Sequence, residues 1–398
     1  MNRDLAIDVT RGLAIWSMIT AHFADGAKIA MPTHAFPYVD GMSVFVLVSG
    51  FILGLVHHGW IDAHGMRFAF GKLAARLAVL YVCQLTIALV AVAAGMAGYF
   101  RLTWLLPVDG WAEGIWASVT MAYLPSGGNI LLMYMVLMAS AFAVLPLLAR
   151  GWWAAVVAAS IGLYVLAQTN PPDWFYLTAD MTAPRIQNWA AWQVLFVPAL
   201  AIGWNWRRWH LATRIERHLP LLVLVAATVA AAMHFLVIDG PLAAFEPALG
   251  DKLDLGVARV VGAWVVVPVV YGVFRVFLAQ WHRDWLRPLA LSGSRSLDSY
   301  VIQSLGLVVV PIMILDRPWS TWSMTVIAVG VFGACWAWAE FRRACHVDKL
   351  HRLPAILAAP ITTAIARKMP APAVRPVGVA SAATHSSVRR SVSAGSPS

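Results

Sequence analysis

Three ionisable residues interrupt an apolar stretch near the start of the chain: Asp8, Arg11 and His22 in "DVTRGLAIWSMITAH" (8–22). Read as a helix, Arg11 and His22 return to nearly the same azimuth, because eleven residues at 3.6 per turn close about three turns. Asp8 lies one turn before Arg11 on the same side. A rise of 1.5 Å per residue puts Arg11 and His22 roughly 16 Å apart along the axis. Histidine exchanges a proton near neutral pH, so His22 is the natural general base of any chemistry at its end of the helix. Arg11 keeps its proton, and its work would be to hold a carboxylate, phosphate or thioester oxygen. Such groups are costly against lipid and normally face a bundle interior or a wet cavity. A structural Asp8–Arg11 pair plus an interfacial histidine is the bland alternative. Three groups on one face outline instead a polar path across most of a bilayer.

Other polar groups carry weaker signals. Ser49-Gly50 with Gly54 forms a small-xxx-small ridge whose first expectation is close helix packing. Ser49 as a nucleophile is the second, without a local activation motif. For Gln193 and Arg259, at or near the outer ends of their helices, substrate contact and interhelical hydrogen bonding both stay open. The clusters "HHGWIDAH" (57–64) and "CHVDKLH" (345–351) do not have the ligand spacing of a usual metal site, so no metal is expected. No Walker loop, dinucleotide fingerprint or hydrolase elbow is found, and no bound cofactor is expected.

The elements that must position these groups follow from composition. The chain has 398 residues, 60% of them hydrophobic and 12% charged, with a mean hydropathy of +0.71. A soluble protein of this length needs far more charge on its surface. Continuous apolar runs exclude a barrel and predict an all-α polytopic transmembrane bundle. Ten spans are read at 5–24, 40–57, 72–98, 128–149, 152–168, 189–205, 219–237, 256–277, 297–315 and 321–339. With both termini in the cytoplasm, 23 Lys and Arg fall inside and 6 outside, the bias such proteins carry. The excess of basic residues thus belongs to loops and tail, and nucleic acid is excluded as a partner. Residues 111–124 are too short to span comfortably and are expected to form an interfacial or re-entrant helix on the outer face. Most of the 20 tryptophans read as interfacial anchors. Cys83, Cys335 and Cys345 suggest no disulfide, and no cleaved leader is expected. The organisation predicted is a transmembrane region at 1–340, a juxtamembrane segment at 341–358 and a basic, disordered tail at 359–398 that would favour anionic lipid heads. No internal repeat of the kind that builds many transporters is visible.

An arginine followed eleven residues later by histidine in the first span resembles the acyltransferase-3 superfamily of integral-membrane acyltransferases. Further stretches resemble its OpgC-like branch, known for succinylating periplasmic glucans: "YVDGMSVFVLVSGFILG" (38–54), "LPSGGNILLMYMVLMASAFAVLPLL" (124–148), "WAAWQVLFVPALAIGW" (189–204) with Trp192-Gln193, "DKLDLGVARVVGAW" (251–264) with Arg259, and "LSGSRSLDSYVIQSL" (291–305) with Ser296. These matches run in order over about residues 5–305. Ser43 stands where the glucan succinyltransferases are expected to carry an acidic residue. The resemblance implies an enzyme of the cytoplasmic (inner) membrane that moves a succinyl or acetyl group from cytoplasmic acyl-CoA to a sugar hydroxyl of a periplasmic or surface glycan. It implies His22, Arg11 and Asp8 as catalytic residues, and Asp40, Ser49, Trp192, Gln193, Arg259 and Ser296 as substrate-binding residues. Arginines at 207–217 and 283–295 could meet CoA phosphates, though topology alone accounts for cytoplasmic arginine. The partners implied are acyl-CoA, a glycan and the lipid bilayer. A transporter or flippase for a glycan or lipid-linked sugar is the competing class, and a membrane scaffold working through its basic tail the third.

Overall fold

The computed structural model describes residues 4–99, 109–125, 129–178, 185–281, 283–314 and 320–345. Contacts divide the chain into Met1–Arg342 and Arg343–Ser398. Within the second unit, only residues 343–345 are described; the predicted tail at 359–398 and most of the juxtamembrane segment lie outside the described residues.

An α-helix satisfies every backbone polar group within itself, which apolar surroundings demand. The ten predicted apolar runs are all helical: α1 (Leu5–Phe23), α2 (Gly41–His64), α3 (Met66–Ala94), α5 (Asn129–Ala149), α6 (Trp153–Thr169), α7 (Trp189–Asn205), α9 (Leu219–Ala232), α10 (Val257–Gln280), α12 (Ser296–Ile314) and α13 (Thr321–Ala344). Between them lie α4 (Trp111–Val119), α8 (Leu211–Arg217) and α11 (Arg287–Ser294). Among the described residues, seven helices are long and apolar enough to cross a membrane. Helix α1 carries charge, and α6 and α7 have 17 residues each. All of α7 except Trp189 and Ile202 is buried, so it runs inside protein and lipid need not touch it. The fold is a polytopic helical bundle, as its composition requires.

Helices α1, α2 and α7 form the centre. Glycine sets how closely they meet. A Cβ on Gly50 would come within 2.3 Å of the Phe196 carbonyl oxygen, one on Gly54 within 2.0 Å of that of Leu200, and one on Gly203 within 1.9 Å of that of Phe51. Backbone therefore touches backbone along the α2–α7 crossing, which is the packing role predicted for the small-residue ridge. A second such crossing joins α1 to α11. Here a Cβ on Gly12 would meet the Leu289 oxygen at 2.0 Å, and one on Gly293 the Asp8 oxygen at 1.9 Å.

At the N-terminal end of α1, Asp4 caps the helix, accepting from Ala6 N at 3.0 Å, and also accepts from the Tyr271 hydroxyl at 2.8 Å. Arg275 bridges Asp4 and Glu216, tying α1 to α8 and α10. Helix α4 follows α3: Gly114 faces Val92, and the Tyr81 hydroxyl donates to the Val119 carbonyl at 2.8 Å. Gly114 and Val119 are five residues apart, so α4 lies against α3 over roughly 7–8 Å. One departure from an all-helical chain is a short antiparallel pair, β1 (Tyr176–Thr178) with β2 (Arg185–Asn188), in register Tyr176↔Asn188 and Leu177↔Gln187.

Candidate active site

The C-terminal end of α1 opens into a pocket of about 280 Å³. His22 lines it, with Asp40 and Gly41 at the start of α2, Asn129 at the start of α5, Gln187 on β2, and Lys252 from the loop before α10. Each of these groups is held by local chemistry. Asp40 is the N-cap of α2, and its Oδ1 accepts from the Ser43 amide and the Ser43 hydroxyl, both at 2.9 Å. Its other oxygen, Oδ2, meets Lys252 Nζ at 3.1 Å and Arg259 Nη1 at 3.5 Å. The carboxylate thus carries a cap on one side and two cations on the other.

Lys252 sits in a loop pinned at nearly every residue. Asp251 accepts from the Leu253 amide at 2.5 Å, Asn188 Nδ2 donates to Asp254 Oδ1 at 2.9 Å, and Tyr164 donates to the Leu255 carbonyl at 2.9 Å. Trp192 is fully buried, and its indole N–H donates to the Lys252 carbonyl at 3.2 Å. The hairpin contributes Gln187, a buried side chain whose Nε2 reaches Met42 Sδ at 3.5 Å. Its Oε1 has no hydrogen-bond partner among the described residues. A buried amide oxygen left without a donor costs on the order of 1–3 kcal/mol.

Arg259 stands behind Asp40 and is held by backbone: Nε donates to the Gly250 carbonyl at 2.6 Å and Nη1 to that of Tyr38 at 3.1 Å. It fixes the loops that carry Asp40 and Lys252. Gln193 lies away from the pocket, in the α6–α7 interface, where it donates to the Ser160 carbonyl at 2.8 Å and accepts from its hydroxyl at 2.6 Å. Ser49 is buried on α2, and its hydroxyl has no partner among the described residues.

At the other end of α1, Arg11 Nη2 donates to the Ser296 hydroxyl. Asp8 is buried where Gly293 presses on its carbonyl oxygen. The close approach of Gly12 and Gly293 brings the first residue of α12 to Arg11, so two motifs 285 residues apart meet. Of the nine residues singled out by sequence, the pocket collects His22 and Asp40, with Arg259 and Trp192 directly behind. Arg11, Asp8 and Ser296 form a second polar group along α1, while Ser49 and Gln193 join neither. Lys252, Gln187 and Asn129 were not singled out. Lys252 had one available signal, as one of six outer cations and part of a quoted motif.

With this geometry in view, comparison with known families is decisive. The family described as OpgC protein matches residues 3–346. The chain belongs to that family. No curated protein and no solved structure matches it. The OpgC family comprises acyltransferase-type, glycan-modifying membrane enzymes, and the matched segment contains both the His22 pocket and the Arg11–Ser296 contact of this OpgC-family chain. Among the described residues no group of three or more His, Cys, Asp or Glu could hold a metal ion.

Proposed function

We propose that this protein transfers an acyl group from cytoplasmic acyl-CoA to a sugar hydroxyl of a glycan on the outer side of the inner membrane, with His22 as general base. The observation that carries the reading is the pocket at the end of α1, where a histidine shares about 280 Å³ with Asp40, Lys252, Gln187 and Asn129. Hydroxyls of a sugar find donors in Lys252 and Asn129, which line the pocket. With the N-terminus inside, this pocket faces outward, and Arg11 with Ser296 lies toward the cytoplasm.

The chemistry needs little more than a base and positioning, because a thioester is already activated. His22 takes the proton of the acceptor hydroxyl as its oxygen bonds to the thioester carbonyl carbon. The C–S bond then breaks, and the leaving thiolate takes a proton back from the imidazolium. Arg11 would hold the donor on its way to the reacting end. Neither role for Ser49 as nucleophile nor for Gln193 in binding is needed, since Gln193 has its partners in Ser160.

The test is transfer of label from radiolabelled acyl-CoA to isolated periplasmic glycan by membrane vesicles containing the protein. Label in glycan above that of vesicles lacking the protein supports the reading. Its absence with acetyl- and succinyl-CoA alike, together with protein-dependent movement of glycan across the vesicle, would establish the transporter instead.

A further inference from the structure

Charge is unevenly shared where α2 begins. One carboxylate, Asp40, faces two cations, Lys252 Nζ at 3.1 Å and Arg259 Nη1 at 3.5 Å, so the trio keeps a net positive charge. The three differ in what they present to the pocket. The side chains of Asp40 and Arg259 are 15% and 16% exposed, while that of Lys252 is 55% exposed and lines the His22 pocket. The carboxylates that flank it in sequence turn away: Asp251 accepts from the Leu253 and Asp254 amides, Asp254 accepts from Asn188, and neither lines the pocket. Lys252 is thus the one lysine or arginine in the pocket wall, and its charge acts on His22 together with that of Asp40.

We propose that Lys252 is a catalytic residue whose ammonium stabilises the oxyanion formed on the thioester carbonyl as the acceptor hydroxyl attacks. The inference rests on the acyl-transfer reading. As His22 takes the hydroxyl proton, the new C–O bond drives the carbonyl π pair onto oxygen. That oxygen stays negative until the C=O re-forms, the C–S bond breaks and the thiolate takes the proton back from His22. Lys252 keeps its three protons throughout. A donor aimed beforehand at the developing charge is effective because it costs no reorganisation at the moment of reaction. Lys252 meets that condition, since its loop is fixed on both sides: the Trp192 indole holds its carbonyl at 3.2 Å, and the Gly256 amide donates to the Asp251 carbonyl at 2.8 Å. Asp40 engages one side of an ammonium that carries three N–H groups. Arg259 acts through charge: by balancing Asp40 it leaves that of Lys252 uncancelled. Arg11, the other cation on this path, lies roughly 16 Å along α1 from His22, too far to touch the same oxygen.

The test is steady-state transfer by the full-length protein in lipid nanodiscs, which leave both faces open. Radiolabelled acetyl- and succinyl-CoA are the donors, isolated periplasmic glycan is the acceptor, and melting temperature is read in parallel. Lys252→Gln keeps an N–H donor for Asp40 but no charge. Its kcat should fall about 10²- to 10³-fold, the loss of one oxyanion donor, out of proportion to any change in either KM. Lys252→Arg keeps the charge and should recover most of that loss. Lys252→Ala separates chemistry from loop distortion: its kcat should rise with added propylammonium, which returns a cation but cannot mend a misfolded loop. A raised glycan KM with kcat near the wild-type value would make Lys252 a sugar contact only and overturn the inference. An unchanged kcat in Lys252→Gln overturns it, as does Lys252→Arg as slow as Lys252→Gln at equal melting temperature, or no response of Lys252→Ala to the amine. No transfer by the wild-type protein from either donor would overturn the functional reading itself, and the inference with it.

Discussion

Replacing Gly293 by alanine tests whether the approach of α11 to α1 sets the position of Arg11. The new Cβ would lie 1.9 Å from the Asp8 carbonyl oxygen and 2.5 Å from the Gly12 nitrogen, both backbone atoms that no rotamer change can move. An ordinary carbon–oxygen contact is about 3.3–3.6 Å, so the helices must separate by roughly 1.4–1.7 Å. Overpacking of this kind costs about 1–3 kcal/mol, occasionally more. Ser296 follows three residues later and carries the Arg11 contact, so the same separation breaks that hydrogen bond. A misplacement of about 1 Å can cost on the order of 10²-fold in rate, and activity should fall by at least that order even where folded protein survives. The control is Gly162→Ala, where an added Cβ meets nothing within 4 Å; helix propensity there favours alanine by about 1 kcal/mol. The assay is thermal unfolding of detergent-purified protein, with acyl transfer measured in vesicles. Equal melting temperatures for Gly293→Ala and Gly162→Ala would refute the packing argument.

Further outcomes follow from the same structure. Asp40→Asn keeps a capping side chain for α2 but removes the charge between Lys252 and Arg259, and should lower stability by about 1.5–3 kcal/mol, read as a drop in melting temperature. A topology reporter fused after Arg342 should be active only in its cytoplasm-dependent form, and one near Pro171 only in its export-dependent form; the reverse at either position sinks the ten-span orientation. Truncation at residue 359 should leave folding and acyl transfer largely intact, measured as transfer per unit of protein, whereas loss at unchanged protein level would give the tail a part in the reaction.

The helices were legible because each apolar run is continuous and bounded by charge or turn residues, which needs no knowledge of tertiary neighbours. The shared face of Asp8, Arg11 and His22 was legible for the same reason, since periodicity is local. What one helix meets on another is not written in this way. Gly12 and Gly293 are ordinary glycines until α11 is laid on α1. Gln193 has the same appearance whether it binds Ser160 or substrate, and only the buried α6–α7 interface decides. Lys252 and Gln187 come from a loop and a short hairpin whose shape depends on Asn188, Tyr164 and Trp192 reaching across from other elements. Ser43, where an acidic residue was expected, donates its hydroxyl to Asp40; a second carboxylate there would face Asp40 without a proton to offer.

The most direct test of His22 as general base is acyl transfer by His22→Ala protein in vesicles, with protein level and melting temperature measured in parallel. His22 is exposed at the end of α1 and lines the pocket without packing into the core, so insertion and folding should be unaffected. Loss of a general base typically costs on the order of 10²- to 10⁴-fold, and transfer should fall by that much. Near-normal transfer by well-folded His22→Ala protein would contradict the assignment and move the search for the reacting group to Ser49.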